Sequence, residues 1–128
     1  MNLENPISFI SEKTTSYFKL KYENLMEIGQ GGPEVGNLFI NDIKVKNYLF
    51  GGPFLSNDEF IYLPVYIKNL FIFKGFRIAQ VNIKTLEIKV FGNFESLISL
   101  FKIEGDYIYY YKDLDGLKYE KTSVMFQS

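Results

Sequence analysis

The sequence predicts an all-β protein, and residue usage and patterning are the observations behind that prediction. One Ala occurs in 128 residues, whereas Ile occurs fourteen times and Phe and Tyr together twenty-three times. Side chains of these β-branched and aromatic types lose rotamer freedom in helices and fit well on pleated sheets. We therefore expect an antiparallel meander of eight to ten short strands, in two packed sheets or an open barrel, forming a single all-β domain over residues 1–128.

The clearest element is a hairpin near the middle of the chain. Ala79, Val81 and Ile83 alternate with polar residues, and the same alternation resumes after a turn centred on Thr85. Further alternating segments are Tyr17–Glu23, Ile43–Leu49, Glu59–Ile67, Leu97–Ile103 and Asp106–Lys112. Two segments stay open: Asn93–Leu100 fits a short helix or a strand, and Glu4–Ile10 fits a strand or an extended arm.

A short motif recurs twenty residues apart, as Gly31-Gly32-Pro33 and Gly51-Gly52-Pro53. Gly supplies positive φ and Pro fixes φ, so we expect each copy to be a turn that leads into a strand. The later segment Phe76–Asp113 resembles the hairpins of a β-propeller blade. A closed propeller needs at least four blades of roughly 40 residues, which this chain cannot supply.

The composition argues against a conventional catalytic site. The chain contains no Cys and no His, so it has no thiol nucleophile, no imidazole base and none of the usual zinc or haem ligands. We therefore expect no enzyme activity, no cofactor and no metal. Two patterns remain as alternatives: a carboxylate pair such as Glu34 and Asp58 for glycoside cleavage, and a calcium loop at 113–116, which fits a hairpin turn better because its third ligand is missing.

No targeting or membrane segment is expected. Lys13 is the first basic side chain, so the N-terminal stretch lacks the basic region of a signal peptide. The longest apolar runs, such as Asn69–Phe73, are far shorter than the roughly 18 residues of a spanning helix. We therefore predict a cytoplasmic protein.

Charge is unevenly distributed along the chain, although the net charge is only −1. Between positions 21 and 68 the sequence contains six carboxylates and two lysines, whereas positions 68–89 contain five basic side chains and one acid. If the Gly-Gly-Pro loops gather at one end of the sheets, the carboxylates and nearby rings form an acidic, partly aromatic face. The predicted partner-binding residues are Glu23, Glu27, Glu34, Asp42, Tyr48, Phe54, Asp58 and Glu59. The alternative is solvated loop charge neutralised by the basic segment across the sheet.

The overall character of the chain resembles that of bacterial immunity proteins that accompany polymorphic toxins, especially those of contact-dependent growth inhibition systems. The resemblance is to a small, slightly acidic sequence rich in Ile, Lys, Asn and Phe, without catalytic residues. It implies a non-catalytic protein that binds a cognate toxin domain, often a nuclease, and blocks its basic active-site surface. Direct contact with nucleic acid or a membrane is not expected at this net charge.

Two other functions remain open from the sequence. A small β-rich module could bind a glycan or peptide through Tyr107, Tyr109 and Tyr111, or along an open sheet edge. Alternation places these three rings on one face and Ile108 and Tyr110 on the other. The chain could also be a subunit of a larger assembly that covers an apolar edge.

Overall fold

The computed structural model describes residues 4–68 and 74–124, and within these ranges the secondary structure consists of strands, isolated bridges and turns, without a helix. The strands are β1 (Glu12–Thr14), β2 (Lys19–Glu27), β3 (Glu34–Ile40), β4 (Ile43–Lys44), β5 (Leu55–Ser56), β6 (Phe60–Lys68), β7 (Lys74–Asn82), β8 (Ile88–Glu95), β9 (Ser99–Glu104), β10 (Tyr107–Tyr111) and β11 (Tyr119–Ser123). The run Asn69–Phe73 lies outside the described residues. No helix in the described part of the chain is long and apolar enough to cross a membrane.

The strands form three antiparallel sheets, none of which closes into a barrel. The N-terminal sheet has the order β1-β2-β3-β4, the central sheet β5-β6-β7-β8 and the C-terminal sheet β11-β10-β9. The all-β prediction is therefore confirmed. The expected arrangement of two packed sheets or an open barrel is replaced by three open sheets, because the last three strands form a sheet of their own.

The central sheet is the middle layer of the molecule. Successive residues of a strand point to opposite faces, and along β6 they enter two different cores. Ile61, Leu63 and Val65 pack in the first core with Leu20, Tyr22, Leu38 and Ile40 of the N-terminal sheet. Tyr62 packs in the second core with Leu100, Ile108 and Tyr110 of the C-terminal sheet. Burial on both faces explains why β6 is almost continuously apolar.

Phe50 joins the N-terminal sheet to the central one. It forms isolated antiparallel bridges with Gly36 of β3 and Val65 of β6, and its backbone N–H donates to the Gly36 carbonyl over 2.9 Å. The predicted strand Ile43–Leu49 is wrong for most of its length, since only Ile43–Lys44 is regular. Asn47 has φ 80°, which is incompatible with an extended strand and bends the chain before it reaches the bridge.

The predicted central hairpin is confirmed as β7 and β8. Val81 pairs with Ile88, and the turn closes with a 2.9 Å bond from the Asn82 N–H to the Glu87 carbonyl. The blade-like arrangement over Phe76–Asp113 is not confirmed, because β7 and β8 belong to the central sheet while β9 and β10 belong to the C-terminal sheet.

The two open segments are also resolved. Asn93–Leu100 is not helical: Asn93 lies in β8 and Ser99 begins β9, since pairing with β7 and β10 satisfies the backbone. Glu4–Ile10 is mainly a tight turn, in which Asn5 and Ser8 exchange two backbone hydrogen bonds of 3.0 Å.

Candidate functional site

The first Gly-Gly-Pro copy lies in the turn between β2 and β3, where Gly31 has φ 71°. Glu27 and Glu34 stand opposite each other at the base of this turn. A Glu27 carboxylate oxygen accepts a hydrogen bond of 3.3 Å from the Gly31 N–H. We call residues 27–34 the turn end of the N-terminal sheet. This copy is a turn that leads into a strand, as the sequence predicts.

The second copy is buried rather than exposed. The buried Tyr22 hydroxyl donates to the Gly51 carbonyl over 2.6 Å. A Cβ added to Gly51 would stand 3.3 Å from the Glu34 carbonyl oxygen, and one added to Gly52 would stand 2.5 Å from Cδ1 of Phe9. The two copies therefore approach each other, but the second copy fills space beneath the first and presents no surface loop.

Asp58 and Glu59 lie at the opposite end, in the turn between β5 and β6. Oδ1 of Asn57 fixes this turn by accepting the backbone N–H of Glu59 at 2.9 Å and of Phe60 at 2.8 Å. Asp58 borders two clefts, of about 440 and 460 Å³, and Tyr17 lines both of them. Glu59 lines the first of these clefts. The exposed ring of Tyr17, at 59%, therefore lies beside two carboxylates.

Asp42 belongs to the same end of the molecule. It follows β3, and its carboxylate lies 3.2 Å from Nζ of Lys19, two residues beyond Tyr17. The neighbouring Ile43 is 58% exposed. We call the group Tyr17, Asp42, Asp58 and Glu59 the cleft end.

The six predicted carboxylates do not share one face. Glu23 lies within β2 and pairs with Lys21 at 2.9 Å, and this carboxylate raises the pKa of Lys21. Lys19 begins β2 and Glu27 ends it, so a strand rise of roughly 3.3 Å per residue separates the turn end from the cleft end by about 25 Å. Asp58 and Glu59 share one cleft, whereas Asp42 pairs with Lys19 and lines neither cleft. Two further acids lie at the turn end, and Glu23 lies between the two ends.

The two predicted aromatic residues are half-buried. The Tyr48 ring centre lies 6.1 Å from that of Phe50, and the Phe54 ring centre lies 6.5 Å from that of Phe18. Both pack against the first core. Tyr48 and Phe54 are therefore parts of the core boundary, whereas the ring of Tyr17 is exposed to solvent.

Sequence reasoning missed Tyr17. The signal was present, because the alternation of Tyr17–Glu23 places position 17 on the same side as Lys19 and Lys21, away from the core. Phe18 and Leu20, on the other side, are buried.

The ion pairs divide the predicted carboxylates into two groups. Glu23 and Asp42 pair with Lys21 and Lys19, which precede the basic segment of 68–89. The other four of the six predicted carboxylates have no cationic side chain within 4 Å among the residues that the structure describes. These four are Glu27, Glu34, Asp58 and Glu59.

A second surface lies on the C-terminal sheet. The predicted alternation is confirmed, since Ile108 and Tyr110 are buried while Tyr107 is 41% exposed on the other side. The Tyr110 hydroxyl donates to Glu95 over 3.1 Å, and burial together with the Glu95 charge raises the pKa of Tyr110. We call the outer rings the tyrosine face: Phe101, Tyr107, Tyr109, Tyr111 and Tyr119.

The candidate calcium loop is a hairpin turn. The Asp113 carboxylate accepts the backbone N–H of Leu117 at 3.1 Å and of Lys118 at 3.0 Å, and so closes the connection between β10 and β11. Across residues 4–68 and 74–124, no three Asp or Glu side chains gather closely enough to hold a metal ion.

The chain matches no protein-family model, no curated protein and no solved structure.

Proposed function

We propose that this chain is a non-catalytic immunity protein that acts in the cytoplasm, where it binds a cognate bacterial toxin domain and covers the toxin's basic active-site surface. The observation that carries the proposal is the cleft end. There, Asp58 and Glu59 are exposed and have no ion partner among the described residues. Both line the first cleft with Tyr17 and with one cation, Lys84, and Asp58 and Tyr17 also line the second cleft.

The charges of the cleft end suit a basic partner. An exposed carboxylate without an ion partner attracts a cationic surface during diffusional encounter, and the attraction weakens as salt screens it. A nuclease holds its nucleic acid with lysine and arginine side chains. Such side chains are opposite in charge to Asp58 and Glu59, and their apolar stems can pack along partly apolar surface while the charged group reaches a carboxylate.

The ring of Tyr17 supplies the apolar part of the contact. Tyrosine is enriched among the residues that dominate interface energies, because it buries a large ring at a low cost in rotamer entropy. Tyr17 already stands in the open at 59% exposure. Its backbone N–H and that of Phe18 donate to the Thr15 hydroxyl at 3.0 and 3.1 Å. The loop that presents the ring is therefore ordered before any partner binds, which lowers the entropy cost of binding.

The experiment is co-expression of this chain with the product of the neighbouring upstream reading frame, which the proposal expects to end in a toxin domain. We expect a complex that co-purifies and a loss of toxicity. Asp58→Lys with Glu59→Lys should slow association by about tenfold or more at low salt. Glu27→Lys with Glu34→Lys is the matched control: it makes the same charge change at the turn end and should alter the association rate by less than about twofold.

The cleft-end variant should fold normally, because Asp58 and Glu59 are exposed and exposed substitutions usually change the free energy of unfolding by less than about 0.5 kcal/mol. The control variant includes the half-buried Glu34, so its folding is checked by urea denaturation before the association rates are compared. Absence of a complex with the wild-type chain would overturn the proposal. Equal slowing by both variants would remove the cleft end as its site and leave only a general effect of net charge.

A further inference from the structure

The outer edge of β11 has the features of a binding site for an extended chain. In the C-terminal sheet β11 pairs with β10 alone, and no strand within residues 4–68 or 74–124 pairs with its other side. Edge strands of this kind carry backbone groups that can pair with an additional strand unless charge or a covering segment prevents it.

The hydrogen-bond pattern identifies which backbone groups point outward. The Lys112 N–H donates to the Lys118 carbonyl over 2.9 Å, and the Val124 N–H donates to the Asp106 carbonyl over 2.8 Å. Pairing between these positions is regular along β11. Bonding toward a neighbour alternates along an antiparallel strand, so the N–H and C=O of Tyr119 and Lys121 point away from β10.

The side chains at these two positions extend the tyrosine face to the edge. Tyr119 is 63% exposed, and its ring centre lies 6.4 Å from that of Phe101 and 6.5 Å from that of Tyr109. Nζ of Lys121 lies 4.6 Å from the ring centre of Tyr107 and has no carboxylate within 4 Å in the described part of the molecule. Side chains of an added strand could therefore extend the row of rings beyond Tyr119 and contact the cation of Lys121.

We propose that β11 accepts an extended segment of another protein as an additional antiparallel strand. The side chain opposite Lys121 would be acidic, because opposite charges across a strand pair are favourable. The side chain opposite Tyr119 would be aromatic or β-branched, because a ring packs favourably across a strand pair against another ring or a β-branched side chain. Because the added strand runs antiparallel, its sequence reads acid, any residue, aromatic or β-branched, from N to C terminus.

Two registers of a second copy of this chain fit the edge poorly. Two antiparallel β11 strands related by a two-fold axis and centred on Lys121 would place the two lysines opposite each other. Centred on Glu120, they would place two carboxylates opposite each other, and like charges directly opposite are unfavourable. A register centred on Tyr119 would instead pair the two tyrosines and place Lys118 opposite Glu120, so self-association is an outcome that the test below separates. The cation of Lys121 suits a partner that carries its own carboxylate.

The ring arrangement also favours a protein over a sugar. A sugar stacks on an open ring face, but Phe101 and Tyr111 stack on each other with centres 4.1 Å apart. The Tyr107 ring carries Lys121, and Nζ of Lys102 lies 4.5 Å from the centre of the Tyr109 ring. One face of each of these four rings is therefore occupied, and the tyrosines among them offer hydroxyls to backbone amides and other side chains.

The test is an NMR titration of the full chain with a short synthetic peptide. The peptide has threonine at every second position, and the positions between the threonines hold valine, then glutamate, then tyrosine. We expect saturable shifts of the Tyr119 and Lys121 amides and weaker binding, by on the order of tenfold, when lysine replaces glutamate in the peptide. Lys121→Ala removes the side chain alone and should weaken binding severalfold. Lys121→Pro also removes the outward N–H and should abolish binding, while β10 pairing persists because that N–H does not face β10.

A peptide methylated at its pairing amides provides a measurement that needs no variant, and it should fail to bind the wild-type chain. Equal binding by Lys121→Pro and Lys121→Ala would overturn the proposal, as would equal binding by the methylated peptide. Concentration-dependent self-association through the Tyr119 and Lys121 amides would assign the edge to a second copy and would also overturn it. None of these results depends on the cleft end, so the proposed toxin binding is tested separately.

Discussion

The turn end and the cleft end carry the same kind of charge in different surroundings. At the turn end, Glu34 donates its N–H to the Pro6 carbonyl over 2.9 Å, and buried Gly51 lies beneath it. At the cleft end, Asp58 and Glu59 stand beside open clefts around an exposed tyrosine. The first end is tied into the core from several directions, whereas the second has room for a partner.

This difference separates a structural role from a binding role. Glu34 at the turn end is half-buried, and its N–H is bonded to the Pro6 carbonyl. The carboxylates of Asp58 and Glu59 at the cleft end are exposed, so a partner that binds there displaces only solvent. Substitutions at the turn end should therefore change stability, and substitutions at the cleft end should change binding.

The largest effect on stability is expected from Gly52→Ala beneath the turn end. The new Cβ would meet the Phe9 ring at 2.5 to 2.9 Å, and such overpacking costs roughly 1–3 kcal/mol. Urea denaturation measures the loss. Phe9→Ala in the same chain should recover part of it, because the two residues are in direct contact.

Gly31→Ala is the control at the exposed copy of the motif. An added Cβ there meets no atom within 4 Å, and its cost of about 1 kcal/mol comes from the positive φ. That cost should not change when Phe9→Ala is added. Equal coupling of Phe9→Ala to both glycine variants would contradict the packing difference between the two copies.

A smaller effect is expected from Tyr22→Phe, which leaves the buried Gly51 carbonyl without its 2.6 Å donor. The expected loss at pH 7 is about 1–2 kcal/mol. Burial raises the pKa of Tyr22 well above 10.0. The unfolded chain therefore releases this proton near pH 10 while the folded chain keeps it, so the free energy of unfolding falls as pH rises through about 10.

The alkaline part of this prediction is measured by urea denaturation at pH 8 and pH 10.5. The wild-type chain should lose more stability between the two values than Tyr22→Phe does. Part of the loss should persist in the variant, because burial also raises the pKa of Tyr62 and Tyr110. An identical loss in both proteins would contradict the role given to the Tyr22 proton.

Much of the fold could be predicted from local pattern. The β7–β8 hairpin and the turn closed by Asp113 follow from alternation and turn residues close in sequence. The third sheet could not be predicted from local pattern. β9, β10 and β11 form a separate sheet that packs on one face of the central sheet while the N-terminal sheet packs on the other, and this packing is a long-range feature. The two Gly-Gly-Pro copies show the same limit: their sequences are alike, but only contacts with Tyr22 and Phe9 decide which copy is buried.

The candidate site was predicted less completely than the fold. Asp42, Asp58 and Glu59 lie together as three of the six predicted acids, but their grouping depends on how the loop before β2 meets the turn before β6. The separation of the two segments along the sequence does not indicate that they lie next to each other in the fold. Tyr48 and Phe54 were chosen as surface rings although they pack against the core, because composition does not distinguish a supporting ring from a projecting one.

The most direct test of the central claim is hydrogen exchange of this chain with and without the product of the neighbouring upstream reading frame, which the proposed function expects to contain a toxin domain. The account predicts that binding slows exchange in residues 15–18 and 56–60, which frame the cleft end, and leaves residues 27–34 unchanged. Protection confined to residues 27–34, or to the C-terminal sheet, would contradict the claim that the cleft end receives the toxin.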